Sequence, residues 1–494
     1  MSQADLHAWF DSIGGELLNG VAPAPMDPPE LGTRIVATEP LGAGDTMLRI
    51  PLRWLLTADG GRDCSTIADA VASPAWPPAL AALVGASRLD EDDAFALRLI
   101  SELRAGEASP WAPYMALLPR SFNTPLFWPR DERNSAAFLG GTNAALLTDM
   151  LQKRIAADWE GSLAPLIAAA NAPAAPTQEP LAPHLAGATR EDYEWALSTI
   201  WSRAFGLTLP SDGSDGGTRY VKTLFPMFDF LNHASPGSSR GATASPAGVR
   251  GLSAMLGVSD GALVVGAGHD AAVGDECFYA YGPYGDAKLL YSYGFAPAAN
   301  PWRQLDLWVH PRPSDDAIDA KRAVLAGIEQ TYEFRGTVRA RPAEGVPGGF
   351  VVEISPELLA TARVVVADGG AGETTDAALA ALAAPGAPLL SVRNEFAALG
   401  ALVSTLRSRL ARAEGRRMQC ESAAAAACAA AEHEPGSAGG ACREQRRAMA
   451  MRVRAEEETL VRDAIPVLEH AMVVLQVQPA QYVPPCPTSA ALPY

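Results

Sequence analysis

Phe225-Pro226-Met227-Phe228-Asp229-Phe230-Leu231-Asn232-His233 is the densest run of chemistry-bearing residues in the chain. Its apolar residues mark it for the interior, where Asp, Asn and His are costly unless they are used. Three readings are open on this run alone. On a helix, Asp229 and His233 stand at i,i+4 and offer two metal ligands on one face, although the chain has only seven His and is poor in further ligands nearby. The plainer reading is a buried strand whose polar end is hydrogen-bonded to the backbone. The third is a functional site.

About forty residues further on comes Val273-Gly274-Asp275-Glu276-Cys277-Phe278-Tyr279-Ala280-Tyr281-Gly282, then Leu289-Leu290-Tyr291-Ser292-Tyr293-Gly294-Phe295 and Asn300-Pro301. Tyr279, Tyr281, Tyr291 and Tyr293 so close together can build an aromatic cage whose faces attract a cation. Packed tyrosines are equally at home in a core.

Working outward, Leu6, Trp9, Phe10 and Ile13 predict a helix over residues 2–18, followed by a loop from Pro23 to Pro29. Thr33–Ala37 and Thr46–Ile50 read as short strands joined by a hairpin-type turn at Gly42-Ala43-Gly44-Asp45. Residues 65–205 read as helical, with apolar faces over Ala94–Leu103, Ala136–Leu147 and Arg190–Phe205, and an Ala/Pro-rich connector at Ala168–Pro183. Strand character returns at Lys222–Phe230, Ala262–Val265 and Glu276–Tyr281, around a surface insertion at Ala234–Gly251. Beyond residue 310, Phe396, Leu399, Leu402, Val403, Leu406 and Leu410 form a helical stripe and Met449–Val474 another, separated by a low-complexity loop at Ser422–Gly440.

A chain of 494 residues with 48% hydrophobic content has material for two domains with real cores. Its formal charge of −17 argues against a protein that coats nucleic acid or an anionic membrane, both of which need clustered positive charge. A basic protein segment is the more natural partner. The six cysteines show no CxxC spacing, which argues against a structural zinc site and a disulfide framework. No apolar run is long enough to span a bilayer. The start, with Ser2, Asp5, Trp9 and Asp11, carries no targeting pattern. The expected location is therefore intracellular and soluble, in cytoplasm or nucleus, with the chloroplast as alternative if a transit peptide is missing.

The order Asp-x-x-Asn-His, Gly-Asp-Glu, Tyr-Gly, Leu-Leu-x-x-Tyr-Gly-Phe and Asn-Pro resembles the C-terminal part of the SET domain. More narrowly it resembles the branch of the RuBisCO large-subunit lysine methyltransferase. Leu41-Gly42-Ala43-Gly44-Asp45 through Ile50-Pro51 is similar to the family's N-terminal strand pair. Trp111-Ala112-Pro113-Tyr114, Phe127-Trp128 and Leu139-Gly140-Gly141-Thr142 are similar to its helical insert, and Ser202-Arg203-Ala204-Phe205 to the segment before the pseudoknot. Ser355-Pro356-Glu357-Leu358-Leu359 with Arg363, and Asn394-Glu395, resemble its substrate-binding domain.

The resemblance implies a mixed α/β fold, a β-rich SET domain with pseudoknot at 1–310. A helical insert at about 60–220 would split it, and an all-α substrate-binding domain at 311–494 would follow. It implies transfer of methyl from S-adenosylmethionine to a lysine of a non-histone protein by a monomer that uses no metal. Tyr281 would be the catalytic tyrosine. Leu31, Gly32, Thr33, Arg203, Asn232, His233 and Tyr293 would face the cofactor, with Ser202 and Asp229 bordering the lysine channel. Departures from the family pattern are Arg34 in place of a second glycine, Glu30 one residue out of register, and Asp286 where Asn is usual, a carboxylate expected to alter the cofactor or substrate pocket. A histidine acceptor on the same scaffold and an inactive binding scaffold are the rival readings.

Overall fold

The computed structural model describes all residues except 1–2, 27–31, 59–88, 173–180, 211–217, 236–254, 332–335, 344–348, 385–387, 429–437 and 487–494. Leu31, Glu30 and most of the expected insertion at Ala234–Gly251 lie outside the described residues.

Five short strands occupy the N-terminal part: β1 (Glu16–Leu17), β2 (Val21–Pro25), β3 (Thr33–Ala37), β4 (Thr46–Pro51) and β5 (Leu56–Thr57). Strand β4 buries Met47, Leu48 and Ile50, which makes it the centre of a sheet. β1 pairs along one of its edges. Along the other lies β10 (Ala262–Gly266), itself flanked by β9 (Leu256–Ser259). The expected hairpin between β3 and β4 does not form. The turn is there, with the Asp45 carboxylate accepting from the Gly42 N–H at 2.8 Å. However, β3 pairs with β2 and bridges to Glu276, so the two strands serve different sheets. β2 also replaces part of the loop expected from Pro23. The opening helix spans only Gln3–Ser12, because Gly14 turns the chain at φ +79° into β1.

Helices Glu91–Ala105, Asn143–Asp158 and Arg190–Arg203 form the central helical block. Asp90 with Asp93, and Thr189 with Asp192, build capping boxes that fix two of their starts. The middle helix begins at Asn143, later than expected, because the Thr142 hydroxyl caps it. Two further strands, β6 (Phe205–Pro210) and β7 (Thr218–Leu224), join β5 in a sheet of their own. β8 (Asn232–His233) and β11 (Phe278–Tyr279) pair in parallel.

The C-terminal region is predominantly helical, as expected, but not all-α. It opens on an antiparallel sheet of β12 (Arg303–Asp306), β13 (Thr337–Pro342) and β14 (Phe350–Ile354). That sheet takes in residues upstream of the boundary expected at 310. Two long helices follow, Val392–Cys428 and Ala438–Val477, and bury Leu399, Leu402 and Leu406 against Leu460, Leu468 and Leu475. Each such side chain contributes about 1.5–3 kcal/mol. Part of the expected loop at Ser422–Gly440 is helical, since alanine is the best helix former; residues 429–437 lie outside the description. Among the described residues, no helix is long and apolar enough to cross a membrane.

Candidate active site

The run 225–233 is neither one strand nor one helix. After β7 ends, Met227 adopts φ +73° and ψ −38°, a left-handed conformation near the γ-turn that strains any side-chain-bearing residue. Its side chain is fully buried, so packing holds it there. The turn carries Phe228–Phe230 through one 3-10 turn and into β8. Asp229 and His233 therefore do not share a helix face, and both are already engaged. The Asp229 Oδ2 accepts from Tyr114 Oη at 2.9 Å and from Arg203 Nη1 at 2.9 Å. Arg203 Nη1 also donates to the Asp229 carbonyl at 3.1 Å. The Asp229 side chain is wholly buried, and its Oδ1 has no hydrogen-bond partner.

Burial pushes the Asp229 carboxyl above its ordinary value against the pull of Arg203; burial also pulls the Arg203 pKa down, but Asp229 together with Tyr114 and Tyr281 holds it above its ordinary value. Two donors converge on one oxygen, so we read the pair as ionised. Arg203 reaches it because the Arg190–Arg203 helix ends there, where the helix dipole favours a cation.

Strands β8 and β11 bring the two motifs together, with Asn232 opposite Phe278 and His233 opposite Tyr279. The Tyr281 N–H donates to His233 Nδ1 at 3.1 Å, which leaves the imidazole proton on Nε2, 3.0 Å from Ser235 Oγ. Burial lowers the His233 pKa to about 4, so the ring is neutral at pH 7. The Tyr281 hydroxyl donates to the Leu231 carbonyl at 3.1 Å. Around its ring stand Tyr279 at 4.8 Å, Tyr293 at 4.8 Å and His233 at 5.1 Å. Phe295 lies 5.8 Å from His233 and 6.3 Å from Tyr293. Burial raises the Tyr279, Tyr281 and Tyr293 hydroxyls, so all three are neutral donors. Gly294 closes the turn behind Tyr293 at φ +84°, where an added Cβ would meet the Asn123 backbone at 3.1 Å.

On the other side of β8, the Asn232 amide donates to Glu276 Oε1 at 2.7 Å. Glu276 Oε2 lies 3.4 Å from Arg34 Nη1. Gly32, two residues from Arg34, has φ +108° and open space where a side chain would stand. The Cys277 N–H donates to the Ile35 carbonyl at 2.8 Å, which fastens β3 to the segment leading into β11.

Residues 312–459 match the family described as Rubisco LSMT substrate-binding. The chain superposes on the SET domain of LSMT bound to methyllysine and AdoHcy with a TM-score of 0.60 at 18% identity, covering 97% of this chain and 94% of that one. Rubisco LSMT bound to AdoMet gives 0.57 at 17% identity, over 96% and 93% of the two chains. This is the SET fold of the LSMT type. Among curated relatives, the actin-histidine N-methyltransferase of Drosophila melanogaster is 26% identical over 68% of this chain and 55% of its own length. The protein of the same name from Danio rerio is 25% identical over 67% and 48%. The ribosomal lysine N-methyltransferase set10 of Schizosaccharomyces pombe is 28% identical over 46% and 35%. The chain thus spans about half the length of the actin-histidine relatives it matches.

Within this SET fold, Tyr281, Tyr293, His233, Asn232, Asp229 and Arg203 converge on one locality, and Gly32 and Thr33 stand on the hairpin bordering it. Ser202 does not face Asp229 by hydrogen bonding. Its hydroxyl is spent on the Ser198 carbonyl of its own helix at 2.7 Å. Asp286, expected to alter the pocket, instead lies buried against the Ala438–Val477 helix. Its N–H donates to Glu456 at 2.6 Å, and its Oδ1 accepts from Asn300 at 3.0 Å. Sequence reading assigned no role to Tyr114, whose only signal was its place in Trp-Ala-Pro-Tyr, or to Glu276, which stood in view in the Gly-Asp-Glu motif.

Proposed function

We propose that the chain is a protein-lysine N-methyltransferase that uses S-adenosylmethionine and acts on a non-histone protein. The observation that carries this reading is the neutral aromatic enclosure of Tyr279, Tyr281, Tyr293 and Phe295, with the Tyr281 hydroxyl fixed on a backbone carbonyl. The residues present fit the cofactor: aromatic faces suit a sulfonium, and Gly32 leaves backbone accessible beside Asn232. Gly32, Thr33, Arg203, Asn232, His233 and Tyr293 would hold it. When bound, it supplies an electrophilic methyl group for in-line displacement.

The chain's own residues set the geometry for that displacement. The Tyr281 hydroxyl and the Leu231 carbonyl, 3.1 Å apart, are oxygens that would hold a polarised methyl through weak C–H···O contacts. His233 fixes the backbone of Tyr281 through its N–H, so the ring and its hydroxyl are positioned from both ends. An incoming lysine must be neutral, and its ordinary pKa is about 10.4. Apolar walls lower it by desolvation. Buried neutral tyrosines add no anion that would hold the proton on, and Arg203 cancels the charge of Asp229. Phe205, Phe225 and Phe228, mutually edge-to-face at 4.9–5.8 Å, form a buried apolar cluster, and Phe228 packs on Tyr279 at 5.0 Å.

In this proposal residues 1–310 carry the chemistry, with the helical insert at about 60–220, and residues 311–494 recruit the protein substrate. A histidine acceptor is the second reading, favoured by the unpartnered Asp229 Oδ1, which an imidazole N–H would satisfy, and by the names of the curated relatives. The deciding experiment incubates the protein with labelled S-adenosylmethionine and a cell extract and maps the modified residue by mass spectrometry. Label on lysine supports the reading, label on histidine replaces it, and no label with demonstrable cofactor binding favours the inactive scaffold.

A further inference from the structure

In a chain of formal charge −17, the eleven residues from Arg407 to Arg417 carry five arginines against one carboxylate, Glu414. Arg409, Arg412 and Arg416 stand three and four residues apart, on one face of the Val392–Cys428 helix. Arg409 and Arg416 line a cleft of about 390 Å³, open to solvent, between the two long C-terminal helices and the loop Gly140–Thr142 of the helical insert. Arg454, from the second long helix, lines it too.

The carboxylates of the cleft are already engaged. Glu457 accepts from Arg409 at 2.7 Å and from the Asn143 N–H at 2.8 Å, and Glu458 pairs with Arg462 at 3.3 Å. Arg416 donates to the Gly141 carbonyl at 3.2 Å, and neither it nor Arg412 has an ion-pair partner among the described residues. Nor is Arg416 simply left to solvent. An added Cβ on Gly141, at φ +83°, would collide with its guanidinium, so a glycine is what lets the guanidinium lie against the loop. Burial, and then Arg454, Arg409 and Arg412, pull the Arg416 pKa below its ordinary value against Glu457. Like charges held this way on a fixed frame call for an anion from outside. A single oxyanion does not match their spacing. Arg412 and Arg416 lie about 6 Å apart along the helix axis, close to the roughly 6.5–7 Å between alternate side chains on one face of an extended chain.

We infer that this cleft holds an acidic segment of the protein substrate, an extended run whose alternate Asp or Glu carboxylates meet Arg416 and Arg412. The inference rests on the recruiting role proposed for residues 311–494 and gives that role its chemistry. The net charge of the chain favours a basic partner, whereas this face selects for carboxylates.

The test is fluorescence anisotropy of a labelled hexaglutamate peptide with the full chain, as wild type and as Arg412→Gln/Arg416→Gln. Wild type is expected to bind the peptide, and the double variant to bind it roughly tenfold or more weakly. Arg341→Gln/Arg393→Gln makes the same change in net charge at two ion-paired positions outside the cleft, and should stay within about twofold of wild type. An unchanged melting temperature shows that the variants are folded; if the double variant is not, Arg412→Gln alone, at an exposed position, should give a smaller loss in the same direction. On the substrate identified from extract, the double variant should raise KM by about fivefold or more with kcat unchanged. No binding of hexaglutamate by wild type, equal binding by the double variant, or an unchanged KM overturns the inference and leaves the methyltransferase reading standing. Inorganic phosphate bound more tightly than hexaglutamate also overturns it, by making the cleft a small-anion site. If wild type labels no protein in the extract, the methyltransferase reading fails and the inference with it.

Discussion

Tyr281→Phe removes one oxygen and nothing else, which makes it the sharpest test of the proposed chemistry. The ring keeps its neighbours, Tyr279 and Tyr293 at 4.8 Å and His233 at 5.1 Å, and its N–H keeps His233 Nδ1. What is lost is the hydroxyl's bond to the Leu231 carbonyl at 3.1 Å. One neutral hydrogen bond contributes about 0.5–1.5 kcal/mol net, with up to about 3 kcal/mol if the carbonyl is left buried without water. In a chain of this size that is a melting shift of a few degrees at most. Turnover should fall far more. If the hydroxyl holds the methyl and the incoming amine in line, its removal costs about 1.4–4 kcal/mol of barrier, a drop of roughly 10- to 1000-fold. The assay is single-turnover transfer of labelled methyl to the substrate identified from extract, run beside calorimetry with S-adenosylhomocysteine. Tyr291→Phe is the control. Its hydroxyl accepts from Lys288 at 3.1 Å, and its loss should change turnover by less than about threefold. Normal turnover with normal cofactor binding in Tyr281→Phe would refute the assignment. A parallel loss of binding and turnover would make the hydroxyl a binding group and not a catalytic one.

Asp229→Ala strands the Arg203 charge and the buried Tyr114 hydroxyl, and should cost about 3–5 kcal/mol in denaturant unfolding; a loss under about 1 kcal/mol would mean that water reaches the pair. Gly294→Ala forces a side chain into φ +84° and toward Asn123, and should destabilise by about 1–3 kcal/mol, read as a lowered melting temperature. His233 gives a pH signature: its folded pKa of about 4 lies below the ordinary 6.5, so between those values the unfolded chain binds a proton that the folded chain does not. Stability should therefore fall as pH drops through that window, by about 1.4 kcal/mol per unit. His233→Asn should flatten that part of the curve, and an unchanged slope would show that other groups cause it.

Much of this was legible in the sequence because the site is written in two short motifs. Asn-His is strand β8 and Tyr279 ends strand β11, and the family resemblance assigned both motifs to one site. The SET architecture and the helical character of the C-terminal region are present as expected. What eluded reading has common physical causes. The pairing of β3 and β4 was misjudged because a good turn between two apolar strands signals a hairpin whatever sheet each strand joins. β12–β14 went unseen because Arg303–Asp306 is only four residues long and the strong leucine stripes downstream dominate the pattern. Met227 was unreadable in principle, since its strain is imposed by packing against local preference. Asp286 was expected at the pocket because it stands where the family usually has Asn after Tyr-Gly, whereas its surroundings are set by a helix some 150 residues away.

That helix bears on how the two regions work together. Glu456 lies buried in the seam, its carboxylate accepting from the N–H groups of Asp286 at 2.6 Å and Gln304 at 3.1 Å. An added Cβ on Gly285 would meet Glu456 Oε1 at 2.5 Å, so glycine permits the approach. Burial pushes both the Asp286 and Glu456 carboxyls up, and two carboxyls this close favour sharing a proton over two charges. One to two turns earlier on the same helix, Met449, Ala450 and Val453 pack against Ala287 and Leu290. Leu290 lies in the turn Leu289–Tyr293 that Gly294 closes. The element holding Tyr293 against Tyr281 is therefore covered on its outer side by the C-terminal helix. Residues 1–310 alone would expose that apolar face and leave the Asp286 and Gln304 N–H groups without Glu456. Beside the recruitment proposed for it, the C-terminal region thus builds part of the wall behind the tyrosines.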